Sequence, residues 1–527
     1  MFARFTPCFA TFDHARPFFR GTVAFMPPQG IMTIAAYLPA SWEVRLVDEN
    51  VAEVSDADLA WAEVVMTSGM HVQRRRLNEI AARAHALGKI CVIGGPSVSA
   101  CPEYYPDYDI LHVGELGDAT DRIIEHLGRS VARPAQQLIF KTENRLDIDA
   151  FPIPAYHLVE LRKYMIANIQ WSSGCPYKCE FCDIPELYGR KPRTKSPERL
   201  IRELDAILAA SPMGGLYFVD DNLIGNRKAA RELMDHLIAW QERNGYRIRF
   251  AGEASINLAQ DPELLAKMKE AYFTDMFFGI ETPDPDTLVT IDKQHNNRMD
   301  LREAVRVINS FGIELYAGVI FGFDADGPDY AEKVIRFIEE TNIPMMAINV
   351  LYALPKTPLH RRLEAEGRLI PDQEAKESNI VFKLPEETVV AMWRKAVDEL
   401  YAPASLLRRY RYNIEHTYAN RKKLPLSRFG VNRDTLSTFT SAMSRLFFGL
   451  GLASDYKRHF WKTATPLLTS GQVDSLIYVG AMAHHFMRYR DDVLSGRVRA
   501  SNFHHEGIRE TAQERGWRDQ FRSRVSA

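Results

Sequence analysis

Three cysteines fall within one eight-residue stretch, Cys175-Pro-Tyr-Lys-Cys179-Glu-Phe-Cys182, with the spacing C-x3-C-x2-C. Thiolates so spaced on a short loop can reach a common centre. A cubane iron–sulfur cluster normally takes four protein thiolates. Three leave one iron open, and an open metal position is where a ligand can be bound and transformed. The competing reading is a structural zinc site, which needs a fourth Cys or His nearby. The next cysteine upstream is Cys101, none follows Cys182, and the first histidine beyond it is His236. A disulfide fits poorly, because three close thiols without a secretory signal imply a reducing compartment. Cys8, Cys91 and Cys101 read as ordinary buried thiols.

The elements that must position this loop are strands and helices in alternation. Strands are predicted at Ile166–Ser172, Gly215–Val219, Ile248–Ala251, Asp275–Phe278, Leu315–Ile320 and Met346–Leu351, with helical patterns such as Pro197–Ala210, Arg227–Asn244 and Asp300–Phe311 between them. Six such repeats fit a partial (β/α)6 barrel, whose active site forms at the strands' C-terminal ends. The acids there are Asp220, Asp221, Glu253, Glu281 and Asp324. A carboxylate ending a strand can instead cap the next helix, a reading open for Asp221 and Asp324. Glu253 and Glu281 follow apolar runs and are expected to point into the barrel.

Ahead of the barrel a second α/β rhythm runs through Trp42–Asp48, Val64–Ser68, Ile90–Ile93 and Ile110–Val113. It argues a parallel, doubly wound, flavodoxin-like sheet. A first strand before Thr6-Pro7 would be short. At the strand ends lie Gln29-Gly30 after Pro27-Pro28, Thr67-Ser68-Gly69-Met70, Gly94-Gly95-Pro96 and Gly114-Glu115. Paired glycines let backbone approach a bulky ligand, and short hydroxyl loops before helices suit a phosphate. No G-x-G-x-x-G is present, so a dinucleotide site has no support.

The expected organisation is an N-terminal α/β domain at 1–135, a linker at 136–154, the barrel at 155–367, a mainly helical cap at 368–500 and a frayed polar tail at 501–527. In the helical part, Glu387–Leu400, Leu436–Leu450 and Val473–Tyr489 are amphipathic, and Ser444–Leu452 and Leu476–Met487 are the most apolar. These read either as a helical core on the barrel or as a cap over its mouth lining an apolar pocket. His484-His485 could be metal ligands or acid–base groups, although core histidines are more common.

Bulk composition excludes several classes. The 66 Lys and Arg balance 68 Asp and Glu, so no global field favours nucleic acid or an anionic membrane. No run of eighteen apolar residues and no signal-peptide pattern occurs, and the expected location is the cytoplasm.

The cysteine spacing, with aromatic Phe181 before the third thiol, resembles the radical S-adenosylmethionine (SAM) enzymes. Gly318-Val-Ile320-Phe-Gly322 resembles the start of their G-x-I-x-G-x-x-E adenine motif, with the final acid displaced, since Asp324 and Asp326 flank position 325. An α/β domain directly before such a barrel resembles the cobalamin-dependent branch. The D-x-H-x-x-G motif is absent, which implies a cobalt with no histidine beneath it. The phrases Ala24–Gly30, Gly94–Pro106, Val113–Asp118 and Phe218–Asn222 are most similar to the hopanoid C-2 methylase group.

The resemblance implies cofactors, roles and partners. A [4Fe-4S] cluster would sit on Cys175, Cys179 and Cys182. SAM would be flanked by Phe181, Gly318, Ile320 and Gly322, and anchored by Asp220, Asp221, Glu253 and Glu281. Cobalamin would lie against Gln29, Gly30, Thr67, Ser68, Gly69, Met70, Gly94, Gly95, Pro96, Gly114 and Glu115. The implied reaction cleaves SAM to a 5′-deoxyadenosyl radical and passes a methyl group from methylcobalamin to an unactivated carbon, on a hopanoid if the finer resemblance holds. It also implies an electron donor such as flavodoxin or ferredoxin, and peripheral contact with a membrane. One other reading keeps the cofactors but changes the outcome: cyclisation or rearrangement of the substrate, or methylation of a tetrapyrrole or other natural product. Another belongs to a different class, a non-catalytic cobalamin-binding redox sensor.

Overall fold

A computed structural model describes residues 1–5, 8–210, 214–371, 377–424 and 433–501. The tail expected over 501–527 lies, beyond Ser501, outside the described residues, as do Thr6 and Pro7.

The N-terminal sheet contains β1 (Val64–Ser68), β2 (Ile90–Gly94), β3 (Ile110–Val113) and β4 (Leu138–Lys141), all parallel and in that spatial order. Phe2 extends it beyond β1 by parallel bridges to Ser68 on one side and Asp48 on the other. The order therefore reverses at Phe2, which gives the doubly wound, flavodoxin-like arrangement. Trp42–Asp48, expected as a strand, contributes only that terminal bridge: Phe2 N–H donates to Val47 O at 2.9 Å and Glu49 N–H to Phe2 O at 2.9 Å. It is an edge segment paired only at its end. β4 falls inside 136–154, the stretch expected as linker, so that expectation is corrected by a four-residue strand that borders β3.

The second sheet holds β5 (Ala167–Ile169), β8 (Gly215–Phe218), β9 (Arg249–Ala254), β10 (Phe273–Glu281), β11 (Glu314–Phe321) and β12 (Met345–Val350). Its order is β12-β11-β10-β9-β8-β5, every pair parallel, which is an open six-stranded barrel. Along β9, Phe250, Gly252 and Ala254 pack outward and buried, while Arg249, Ala251 and Glu253 alternate with them towards the lumen. The strand expected over Ile166–Ser172 stops at Ile169, because the N–H groups of Trp171 and Ser172 turn to the buried Asp220 carboxylate. The chain then forms a small antiparallel pair, β6 (Ser172–Ser173) with β7 (Arg193–Thr194), and the three cysteines lie between them.

The C-terminal helices Glu386–Leu400, Pro403–His416, Arg433–Arg445, Lys457–Thr469 and Val473–Leu494 follow. The last sends Tyr478 into the foot of the barrel, where its hydroxyl meets Asp275 Oδ1 at 2.9 Å and Glu314 Oε1 at 3.2 Å. Tyr418 bonds Glu314 from the same side, and Arg421 lies 3.6 Å from Asp275. Asp275 and Glu314 stand at the starts of β10 and β11, so this assembly plugs the N-terminal end of the barrel. Of the two arrangements expected, the helices form a core packed on the barrel, at its foot, and not a cap over its mouth. His484 and His485 belong to its core: burial pulls them down to about 4 and about 3, and His485 Nε2 lies 2.8 Å from Phe9 O.

Candidate active site

The cysteine loop is held at both ends. Gly174 adopts φ +91°, and a Cβ there would lie 2.9 Å from Gly189 O and 3.2 Å from Lys191 O. Its N–H donates to Asp221 Oδ2 at 2.7 Å. Glu180 in the middle of the loop donates its N–H to Ile291 O and accepts from Leu359 N–H, at 3.0 and 2.9 Å. The three thiols are free and half-buried. Burial pushes each above the ordinary thiol range, so they stay protonated at neutral pH until metal charge displaces the protons. Among the described residues, only His85, Cys91 and Asp109 bring three such ligand atoms all within 4.8 Å of one another. At least one pair of the three loop sulfurs is thus more than 4.8 Å apart, beyond the edge of about 3.8 Å that a tetrahedral zinc with 2.3 Å bonds imposes.

His85, Cys91 and Asp109 lie at the opposite, N-terminal edge of β2 and β3. Asp109 is already neutralised by Arg133 at 3.0 Å and bonded by Cys91 N–H at 2.7 Å. This group is a structural ion-pair knot.

The acids of the barrel divide by their partners. Asp220 is fully enclosed and accepts backbone N–H groups from Trp171 and Ser172, so it shapes the loop entrance and does not face the lumen. Burial raises it to about 7. Asp221 holds Gly174 and is raised to about 6 by burial, with the charges of Glu115 and Asp183 adding. Neither it nor Asp324 caps a helix. Asp324 is bound by Arg368 at 2.6 Å and Arg362 at 2.9 Å, which keep it below the usual carboxylate range despite its partial burial. Glu253 receives the Tyr217 hydroxyl at 3.1 Å and is raised to about 7, by burial first and then by Asp221 and Asp220. Glu281 ends β10 at φ +63° and is paired with Lys293.

Around the glycine strand, a Cβ on Gly318 would lie 2.8 Å from the Phe277 ring, and Gly322 adopts φ +104° against Phe382. Ile320 is half-buried. Asp326 accepts the N–H groups of Gly322 and Phe323 at 2.8 and 3.0 Å, which makes it the acid that fixes this turn. Phe181 lies 6.0 Å from Phe323 and 5.7 Å from the Lys293 ammonium.

Sequence reasoning missed Lys293 and a polar chain behind the loop. Asn222 Nδ2 stands 4.0 Å from Cys175 Sγ and 3.2 Å from Ser255 Oγ; Ser255 bonds Asn257, and Asn257 bonds the Tyr177 hydroxyl, whose ring stacks on His295 at 3.6 Å. Asn222 follows the acids already singled out and Tyr177 lies within the cysteine loop; Ser255, Asn257 and His295 are remote from that loop in sequence and carried no local signal.

In the N-terminal sheet, Ser68, Gly69, Met70, Gly94, Gly95, Pro96 and Gly114 gather at the C-terminal ends of β1, β2 and β3, while Gln29 and Gly30 open the helix Gln29–Tyr37. Gly95 is at φ +100°, where a Cβ would sit 2.5 Å from Ser68 Oγ. Ser99 Oγ accepts from Gly114 N–H at 2.9 Å and donates to Gly95 O at 2.8 Å, tying two of the loops. Thr67 does not join this rim: it is buried, with its hydroxyl on Tyr108 OH at 2.9 Å. Glu115 is also engaged, by Arg193 at 2.7 Å, Arg145 at 2.9 Å and Ser173 Oγ at 3.1 Å. Arg193 and Ser173 belong to the pair that brackets the cysteines. Glu115 therefore clasps the C-terminal rim of one sheet to the cysteine loop of the other.

The radical SAM superfamily model matches residues 169–338, and a domain of unknown function, DUF4070, matches 357–498. The chain is 49% identical over 503 residues to the hopanoid C-2 methylase of Rhodopseudomonas palustris (strain TIE-1), covering 95% of each chain. This chain belongs to the radical SAM family. Its fold is similar to that of OxsB, a cobalamin-dependent SAM radical enzyme (TM-score 0.57, 15% identity, 95% of this chain and 81% of the other). It is also similar to TsrM, a radical SAM methyltransferase from Kitasatospora setae (TM-score 0.54, 16% identity, 65% and 76%). The expected order of a flavodoxin-like sheet, a radical SAM barrel and a helical C-terminal region is the fold of the cobalamin-dependent branch.

Proposed function

We propose that the chain is a radical SAM C-methyltransferase that uses methylcobalamin to methylate an unactivated carbon of a hopanoid. The observation that carries this reading is the Glu115 clasp, which sets the glycine rim of the flavodoxin-like sheet against the cysteine loop at the barrel mouth. The residues read as the cobalamin rim and as the cluster loop are thereby held side by side. When bound, the cluster supplies the electron that cleaves SAM for hydrogen abstraction, and methylcobalamin supplies the methyl group; a flavodoxin- or ferredoxin-type donor must deliver that electron.

The chain's own residues position and enclose. Cys175, Cys179 and Cys182 would hold the cluster, and three protein thiolates where four are usual would keep a position open for SAM. Phe181 and the Gly318–Gly322 strand make flat walls for adenine, since Gly318 has no Cβ to push Phe277 aside. Glu253 and Asp221, both with affinities for protons near neutrality, accept N–H and O–H groups of SAM at the lumen mouth. Asp220 and Glu281 position the loop and Lys293. Gly94, Gly95 and Pro96 let backbone approach the corrinoid closely. Phe277 and Tyr316, 5.1 Å apart in the lumen, exclude water and suit an apolar polycycle.

Such a substrate lies in a bilayer. No helix among the described residues is long and apolar enough to cross one, so the reading requires contact with the membrane surface.

The test is anaerobic reconstitution with iron, sulfide and cobalamin, followed by mass analysis of hopanoids incubated with SAM labelled in its methyl group. Label is expected in the hopanoid. SAM cleavage without hopanoid labelling would overturn the substrate, and no cleavage after full reconstitution would overturn the enzyme.

A further inference from the structure

The helix Arg433–Arg445 and the π-helical turn Leu446–Ala453 that continues it are apolar on two faces. The inner face is engaged: Ala442, Leu446 and Leu450 are buried, and Leu446 packs so closely on Gly480 that a Cβ there would lie 2.4 Å from its Cδ2. The outer face is bare. Leu436, Phe439, Phe447, Phe448 and Leu452 are 42–61% exposed. Leu436, Phe439 and Phe447 recur at helical spacing on one side, and Phe447 and Phe448 meet edge to face at 5.2 Å. Trp461 lies beneath, its ring 5.8 Å from Phe447 and its Nε1 donating to Gly451 O at 2.9 Å, so the patch rests on a fixed base.

Its border is cationic. From Leu436 to Ser470 the sequence holds Arg445, Lys457, Arg458 and Lys462 against the single acid Asp455. These four are exposed, and Lys457 Nζ lies 3.5 Å from Leu452 O at the edge of the patch. Arg20, also exposed, reaches Ser437 from the other side.

We infer that this face is a docking surface for an anionic lipid bilayer, with Phe447, Phe448 and Leu452 entering the headgroup boundary and Arg445, Lys457 and Lys462 resting on lipid phosphates. The inference rests on the reading of the substrate as a membrane lipid, and it gives a role to part of the C-terminal region. Exposed aromatic and aliphatic side chains ringed by Lys and Arg are the composition of an interfacial element, which lies on a membrane and does not span it. The charge pattern selects this occupant over a second copy of the chain: a symmetric pairing would bring two cationic borders together.

The test is flotation of the full-length protein with hopanoid-free vesicles, either phosphatidylglycerol–phosphatidylethanolamine or phosphatidylcholine alone. Binding to the anionic vesicles is expected, weaker to phosphatidylcholine. The F447S/F448S variant should bind about tenfold or more weakly, and K457Q/K462Q about fivefold more weakly for each cation removed, both with unchanged circular dichroism. No binding to anionic vesicles, binding unaltered in F447S/F448S, or a dimer in solution that F447S/F448S abolishes would overturn the inference. Methylation of detergent-solubilised hopanoid separates the two readings: F447S/F448S should retain it. Failure by the wild-type protein would strike the proposed function while vesicle binding still stood.

Discussion

The Lys293 ammonium and the Glu281 carboxylate form a buried ion pair at the end of β10, and Gly279 leaves the space it occupies. A Cβ on Gly279 would fall 2.2 Å from Glu281 Oε1 and 2.6 Å from Lys293 Nζ. Burial alone would lower the Lys293 pKa; the charge of Glu281 and the nearby Cys179 reverse that and hold it above the ordinary lysine value. Lys293 thus keeps a fixed ammonium beside the cysteine loop, with its counter-charge tied to a strand end.

Removing the cation should expose the cost of the carboxylate. Lys293→Met leaves Glu281 buried without its partner, and a loss of about 3–5 kcal/mol of unfolding free energy is expected. Urea denaturation of the metal-free protein measures it. An unchanged midpoint would mean that water already shields Glu281.

Gly174→Ala should fail at the cluster before it fails at the fold. Its left-handed backbone and the two carbonyls within 3.2 Å of an added Cβ impose about 1–3 kcal/mol of local strain. Iron and sulfide content after reconstitution should fall well below the wild-type value, with near-normal circular dichroism. Full iron loading would show that the loop tolerates the shift.

Glu115→Ala should loosen the two sheets from each other. It leaves Arg193 and Arg145 without their shared carboxylate, while Glu115→Gln keeps hydrogen bonds but loses the charge. The expected order of melting temperature, and of cobalamin retained through gel filtration, is wild type, then Gln, then Ala. Equal retention in all three would separate the clasp from cofactor binding.

The foot of the barrel should make stability fall with rising pH. Burial, with the charge of Asp275, raises Glu314 from 4.5 to about 7, against opposing bonds from Tyr418 and Tyr478. The folded chain therefore holds this proton more tightly than the unfolded chain. Its contribution is complete below about pH 4 and is lost as pH rises through 7, at most about 3 kcal/mol. Denaturant midpoints at pH 5 and pH 8 should differ in that direction, and Glu314→Gln should reduce the difference, leaving the part that Asp220, Asp221 and Glu253 contribute.

Much of the barrel was legible because its signals are local. Gly215–Val219 and Met346–Leu351 were predicted as strands and are found at Gly215–Phe218 and Met345–Val350, since apolar, β-branched runs between helical patterns need no distant information. Leu138–Lys141 was not legible: it is a short strand at the edge of a charged stretch, and only its pairing with β3 makes it one. The C-terminal helices were predicted as helices, but which end of the barrel they close depends on Tyr478 meeting Asp275 and Glu314, 203 and 164 positions away in the sequence.

The cysteine spacing, the order of strands and helices, and the glycines at the strand ends can be read from residue order, because each is set by neighbours within a few residues. What the acids do emerges once the chain is folded. Asp220 holds backbone, Asp324 meets two arginines, Glu281 meets Lys293, and Glu115 joins the two sheets. A carboxylate's role follows from its partner and its distance from water, and folding brings both from elsewhere in the chain.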